Sequence, residues 1–151
     1  MFQKWENEIL FPILQDIVFI MQNEIQQNIE QIQKTICTEI EKLFYKAQQC
    51  EQKINYITFH IMRQDILEGI YQYHLFLYDE YWYLKKGKEI GVLDSQVIYH
   101  YYYQFYNEVL LQSNTYRSVF SIPELEMFII KQLNIFHYFF VEILRYAMNE
   151  L

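Results

Sequence analysis

Residues 51–84, EQKINYITFHIMRQDILEGIYQYHLFLYDEYWYL, carry aliphatic and aromatic side chains along almost their whole length. On a helical wheel of about 100° per residue, these side chains surround the axis instead of forming one stripe. A helix that is apolar nearly all round belongs in the centre of a protein. We therefore expect residues 51–84 to form a central helix, in which Gly69 allows a kink.

A polar strip interrupts this predicted helix. Asp65, Glu68, Gln72 and Asp79 fall within about 60° of one another on the same wheel. The carboxylates of Asp65, Glu68 and Asp79 on one helix face are compatible with general acid–base chemistry. A solvated helix face is the more common explanation for such a strip, and the sequence shows no signal of a pocket around it. We interpret the strip as a solvated surface that is available to a partner.

The scarcity of turn residues points to an all-α fold. The chain has 151 residues but contains only three Gly and two Pro. A β-sandwich or meander needs a turn roughly every 8–12 positions, and five such residues cannot supply them. The length predicts one domain, residues 1–151. The sequence thus predicts a single helical domain.

Four helical segments follow from the apolar periodicity and from the signals at helix ends. The first is long, and Ile25, Ile29, Ile32 and Ile36 form a narrow stripe on it, close to a coiled-coil seam. Asp94 or Ser95 is a suitable cap for a later helix. We predict an antiparallel bundle of unequal helices at about 3–49, 51–84, 94–112 and 122–150.

The last of these helices has a strong start signal. Ser121 and Glu124 have the spacing of a capping box, and Pro123 stands just inside the first turn. The residues that follow are apolar over a length that could span a bilayer, but Lys131, Glu142 and Arg145 lie among them. Basic residues near a bilayer centre are costly, so we expect a core helix and no membrane span.

Charge disfavours nucleic acid as a partner. The formal net charge is −7 and the sequence pI is about 5.0, and an acidic surface repels phosphate backbones. No basic N-terminal region precedes an apolar run with a small-residue cleavage site. We therefore expect no direct nucleic-acid binding, and a cytoplasmic location.

Motifs for catalysis, metal binding and cofactor binding do not emerge from the sequence. None of His60, His74, His100 and His137 has Glu three positions before it, as a ferritin-like di-iron bundle requires. His-Glu-x-x-His, Cys-x-x-Cys and Gly-rich phosphate loops are also missing from the sequence. We expect a protein that is not an enzyme and has no cofactor.

Tyrosine is the most unusual feature of the composition. The chain has 15 Tyr, 12 Phe and 2 Trp, more than the centre of one four-helix bundle can accommodate. Tyrosine suits interfaces because it combines a large apolar area with a polar tip. We predict a partner-binding surface from the polar strip and nearby aromatics: Asp65, Glu68, Tyr71, Gln72, Tyr78, Asp79, Trp82, Tyr99, Tyr103 and Tyr106.

These features together favour a small acidic helical protein that binds and neutralises a protein partner. An immunity protein against a cognate toxin fits this description, since a basic toxin or nuclease would be attracted electrostatically. An inhibitor of a defence nuclease would have the same sequence features. A ligand-sensing bundle, with a cavity lined by Tyr102, Phe105, Phe136 and Phe140, is another alternative. The last alternative is a structural homodimer formed through Ile25, Ile29, Ile32 and Ile36.

Overall fold

The computed structural model describes residues 1–49, 54–81 and 86–149. They fall into two compact units. The first unit comprises Met1–Ile29 and Val97–Glu142. The second contains the described residues of Glu30–Gln96 and Ile143–Leu151. The candidate site described below belongs to the second unit.

The first unit is helical. Its central aromatic cluster surrounds Trp5, which is fully buried and donates a 2.8 Å hydrogen bond from Nε1 to Ser113 Oγ. Phe120 and Phe128 pack against the indole ring, with centroids 6.0 and 5.6 Å away. The helices of this unit are α1 (Phe2–Trp5), a π-helical turn (Glu6–Leu10), α2 (Phe11–Gln27), α5 (Gln96–Gln112), a 3₁₀ turn (Ser113–Tyr116), α6 (Ile122–Ile130) and α7 (Leu133–Asn149). The unit includes α5 from Val97 onward and α7 as far as Glu142.

The second unit contains a three-stranded antiparallel sheet, so the all-α prediction is wrong and the fold is mixed α/β. The sheet has the order β1-β2-β3. The unit begins at Glu30 within α3 (Ile29–Gln48), the helix that carries most of the predicted isoleucine stripe. It continues with β1 (Tyr56–Ile61), α4 (Arg63–Leu67), β2 (Gln72–Tyr78) and β3 (Lys88–Asp94). The predicted central helix over residues 51–84 is replaced by β1, α4 and β2, where the structure describes it.

Alternation of side chains explains why this stretch forms strands. Along β2 the pattern is half-buried and buried in strict alternation, which is the period of two expected for a strand. Tyr73, Leu75 and Leu77 point inward and are almost completely buried. On a helical wheel, residues that alternate in this way spread all round the axis. The aromatic and β-branched residues here favour the strand, and that preference decides the structure.

All three glycines of the chain lie in the second unit, which contains the sheet. Because the sheet has only three strands, it needs few turn residues. Gly69 has a φ of +76° and ends the turn between α4 and β2, a conformation that glycine adopts at little cost. At Gly91, a β-carbon would lie 2.7 Å from Leu43 Cδ2 of α3. Gly91 thus permits α3 to approach the inner face of the sheet closely.

The predicted helices outside the sheet agree better with the structure, but two of them are interrupted. The predicted first helix is divided at Asn28, whose φ of −115° and ψ of 17° leave the helical region. The predicted last helix is divided after Ile130 and resumes at Leu133. The Ser121–Glu124 capping box is confirmed, because each residue's side chain bonds the other's backbone N–H. Helix α5 agrees with the predicted segment at about 94–112.

Candidate functional site

One face of the sheet is lined by polar and aromatic side chains. In antiparallel register, the residues of β1, β2 and β3 that alternate with the buried ones share this face. We call it the outer sheet face, and its members are Tyr56, Thr58, His60, Gln72, His74, Phe76, Tyr78, Glu89, Val92 and Asp94.

His74, in the middle of β2, is held between two carboxylates. Its Nε2 lies 2.6 Å from Asp65 Oδ2 on α4, and its Nδ1 lies 2.5 Å from Glu89 Oε1 on β3. The side chains of His74 and Asp65 are 15% and 18% exposed, whereas that of Glu89 is 46% exposed. We call Asp65, His74 and Glu89 the histidine clamp, because the ring joins α4 to β3.

The geometry of the clamp favours the charged form of the imidazole. A neutral imidazole has a single N–H, so it can donate to only one of the two carboxylates. An imidazolium donates to both. The hydrogen bond with Asp65 is the main cause that raises the pKa of His74 above its ordinary value of 6.5, followed by that with Glu89. Burial opposes this rise but does not cancel it.

Other polar side chains of the outer sheet face lie near the clamp, and one of them, Gln72, contacts it. Gln72 Nε2 donates to Asp65 Oδ2 at 3.5 Å, at the upper limit for a hydrogen bond. His60 lies directly opposite His74 in the register of β1 and β2. Its Nε2 is 2.8 Å from Thr58 Oγ1, and its ring meets the edge of Phe76. The outer sheet face is therefore a polar and aromatic surface with the doubly bonded His74 ring near its middle.

Both ring nitrogens of His74 are already engaged, so neither is available as a general base without breaking a hydrogen bond. Across the three described ranges, no group of three or more His, Cys, Asp or Glu side chains is arranged to hold a metal ion.

Exposed apolar side chains border the clamp. Met62, Leu67 and Ile70, in and around α4, are exposed, as is Val92 on β3. Glu68, which ends α4, is exposed and accepts a 2.7 Å hydrogen bond from Gln64 Nε2. The surface at α4 thus combines carboxylates with apolar side chains.

The structure brings together only part of the predicted polar strip. Asp65 and Gln72 are hydrogen-bonded, and Glu68 is the residue that directly follows the short helix α4. Asp79 comes after the far end of β2, about 23 Å from Gln72 at the rise of an extended strand. There, Asp79 Oδ1 accepts a hydrogen bond from the Tyr81 backbone N–H.

The predicted aromatic contacts are dispersed. Tyr71 and Tyr99 are buried, and Tyr99 belongs to the first unit together with Tyr103 and Tyr106. Tyr103 is 53% exposed, and Tyr106 donates a 2.6 Å hydrogen bond to Glu126 Oε1. Tyr78 lies on the outer sheet face, with its ring against Gly87. Trp82 lies outside the described residues.

Part of the tyrosine excess has a structural explanation. Buried tyrosines of the first unit direct their hydroxyls to glutamates: Tyr101 donates to Glu24, and Tyr116 donates to Glu8 at 3.1 Å. Burial is the main cause that raises the pKa of Tyr101, and the bond to Glu24 adds to it. Of the tyrosines that the structure describes, six are buried and six are exposed; the exposed ones are Tyr45, Tyr56, Tyr81, Tyr103, Tyr138 and Tyr146. The exposed ones occur in both units, so they do not by themselves define one surface.

The structure shows how the residues named for two alternative functions, the ligand-sensing bundle and the structural homodimer, are packed. Tyr102, Phe105 and Phe136 pack ring against ring, with centroids 5.5 Å apart for Tyr102–Phe136 and 6.0 Å apart for Phe105–Phe136. Phe140 is also fully buried, so the residues predicted to line a cavity fill space with one another. In the isoleucine stripe, Ile36 is buried, and Ile25, Ile29 and Ile32 are half-buried within the chain.

One helical stretch, Ile122–Asn149, is long and apolar enough to cross a membrane by length and composition. The core helices of soluble proteins pass the same test, so this is weak support for a membrane span. Within this stretch, a third of the 18-residue segment that meets the criterion is buried inside the protein.

Comparison with known proteins gives no match to this chain among protein-family models, curated proteins or solved structures.

His74 and Glu89 are the functional candidates that sequence reasoning missed. The signal was the alternation in β2, which places Gln72, His74 and Phe76 on one face. Once β2 is recognised as a strand, His74 becomes a polar residue in the middle of a sheet face. Its carboxylate partners are 9 and 15 residues away in sequence, so only the fold identifies them.

Proposed function

We propose that this protein acts by binding a basic protein partner through α4 and the adjoining outer sheet face, as an immunity protein binds and neutralises a toxin. The observation that supports this most is the surface at α4, where the exposed carboxylate of Glu68 lies beside the histidine clamp and near exposed apolar side chains. Binding surfaces with apolar anchors and charged surroundings combine contact area with specificity.

The charge of the chain supports a basic partner. With a formal net charge of −7, the protein attracts cations over a distance set by the Debye length, about 8–10 Å in physiological salt. Such attraction increases the association rate more than it increases the affinity. A toxin whose substrate is nucleic acid has a basic surface for that substrate, so an acidic protein can compete for it.

The clamp gives the surface a fixed geometry. Because His74 joins Asp65 to Glu89, α4 is held against β3 before any partner arrives. A pre-ordered surface loses less conformational entropy on binding than a mobile one. We infer a binding role and no catalytic role for these residues, since both imidazole nitrogens already have partners.

The test is co-expression with the product of the neighbouring gene, followed by co-purification and measurement of the association rate at increasing salt. We expect a stable complex whose association rate falls as the salt concentration rises. An inhibitor of a defence nuclease would instead form its complex with a nuclease encoded elsewhere. A complex that forms at the same rate in low and high salt would contradict the electrostatic part of the proposal.

A further inference from the structure

The two edges of the sheet differ in how they are protected. Exposed strand edges invite pairing with another chain, and proteins block them with charged residues and bulges. On β3, Lys88, Glu89 and Asp94 supply charges, and the pairing with β2 shifts between Leu75 and Phe76. The sequence of β1, YITFHI, contains no Asp, Glu, Lys, Arg, Pro or Gly. No other strand of the described chain pairs with the far side of β1.

The inner face of β1 is also incompletely covered. Its inward residues Ile57, Phe59 and Ile61 are each half-buried, although their partners on β2 are almost completely buried. All six residues of β1 are at least partly exposed. The strand therefore leaves apolar surface exposed at an edge of the sheet that no other described strand covers.

We propose that β1 pairs with β1 of a second copy of this chain, in antiparallel register about a two-fold axis at Phe59. This register sets Ile57 opposite Ile61 of the second copy on the inner face, and Thr58 opposite His60 on the outer face. Residues that point the same way stay together, as strand pairing requires. The result is a continuous six-stranded sheet.

A second copy suits this edge better than the basic partner proposed above. Two chains of formal charge −7 repel each other, and an uncharged strand is the element at which they can approach with least repulsion. A basic segment would gain no ion pair along β1, whereas α4 and β3 offer carboxylates. The self-pairing of β1 does not depend on the proposed toxin-binding function.

The test measures the oligomeric state of the whole chain by sedimentation equilibrium between about 10 µM and about 1 mM, the range for a small interface. We expect a reversible dimer. Thr58→Lys/His60→Lys sets two pairs of lysines opposite each other in the proposed register, and it should weaken the dimer about tenfold or more. Val92→Lys/Tyr146→Lys adds the same charge at exposed positions away from β1, and it should leave the dimer intact.

Hydrogen exchange of the wild-type chain supplies a second measurement that needs no variant. Backbone amides of β1 should exchange more slowly at high protein concentration, while those of β3 should not change. A chain that is monomeric over the whole range would overturn the proposal. So would a dimer that both double variants weaken equally, or one whose protection appears outside β1.

Discussion

Replacing His74 by Gln removes the imidazolium and breaks the clamp, while the side chain remains polar. Hydrogen bonds to charged groups contribute roughly 1.5–3 kcal/mol each. That range applies to Asp65, which is 18% exposed, but Glu89 is 46% exposed, and solvent reduces its share to about 0–1 kcal/mol. We expect His74→Gln to lower the free energy of unfolding by about 2–3 kcal/mol in mildly acidic solution.

The cost of this substitution should depend on pH in one direction. Because the folded-state pKa of His74 is raised above 6.5, the folded chain binds the proton more tightly than the unfolded chain. The stabilisation is complete below pH 6.5 and is lost as the pH rises through the folded-state pKa. Above that point the neutral ring keeps one hydrogen bond, which contributes about 1 kcal/mol.

Urea unfolding followed by circular dichroism, at about pH 5.5 and about pH 9, measures this difference. The gap between wild type and His74→Gln should narrow by about 1–2 kcal/mol over that range. The control His60→Gln removes an imidazole from the same sheet face, where its partner is Thr58, and it leaves the clamp intact. A gap that stays constant or widens with rising pH would refute the doubly bonded imidazolium.

Two further substitutions test the packing of the sheet and the start of α6. Gly91→Val should lower the free energy of unfolding by roughly 1–3 kcal/mol through overpacking against Leu43, and adding Leu43→Ala should recover part of that loss. A urea midpoint equal to that of wild type would contradict overpacking between position 91 and Leu43. Ser121→Ala removes the acceptor of the Glu124 backbone N–H and should cost about 1 kcal/mol, seen as a lower melting temperature. A melting temperature equal to that of wild type would mean that the capping box contributes nothing to stability.

The helices could be predicted from sequence where local signals decide the structure. The capping box at Ser121 marks the start of α6 correctly, because its hydrogen bonds join residues three apart. Asn28 illustrates the limit of such signals. Its side-chain Nδ2 donates to the Glu24 carbonyl at the break between α2 and α3, and nothing in the surrounding Gln-rich sequence distinguishes this asparagine as a helix end.

The sheet was missed because a wheel cannot distinguish a helix that is apolar all round from a strand that alternates. In β2 the decisive pattern is the sequence of inward Tyr73, Leu75 and Leu77. The low glycine count argued against β structure for the whole chain, whereas one small sheet needs few turns. A count made over 151 residues hides that all three glycines fall between residues 69 and 91.

The candidate site was predictable only in part for the same reason. The helical wheel predicts that Asp65 and Gln72 are neighbours on a helix, and they are neighbours through a turn and a strand instead. The same wheel predicts Asp79 beside them, but Asp79 lies at the other end of β2. Glu89 joins the clamp through strand pairing, a contact that depends on the fold and not on spacing along the chain.

The most direct test of the proposed function is the dissociation constant of the complex with the partner that co-purifies, measured for two matched variants. Glu68→Lys reverses an exposed charge on α4 and leaves the clamp intact, whereas Glu30→Lys makes the same reversal at an exposed position on α3. We predict that Glu68→Lys weakens binding about tenfold and that Glu30→Lys changes it by less than about twofold. Equal effects of the two substitutions would contradict binding through α4 and the outer sheet face.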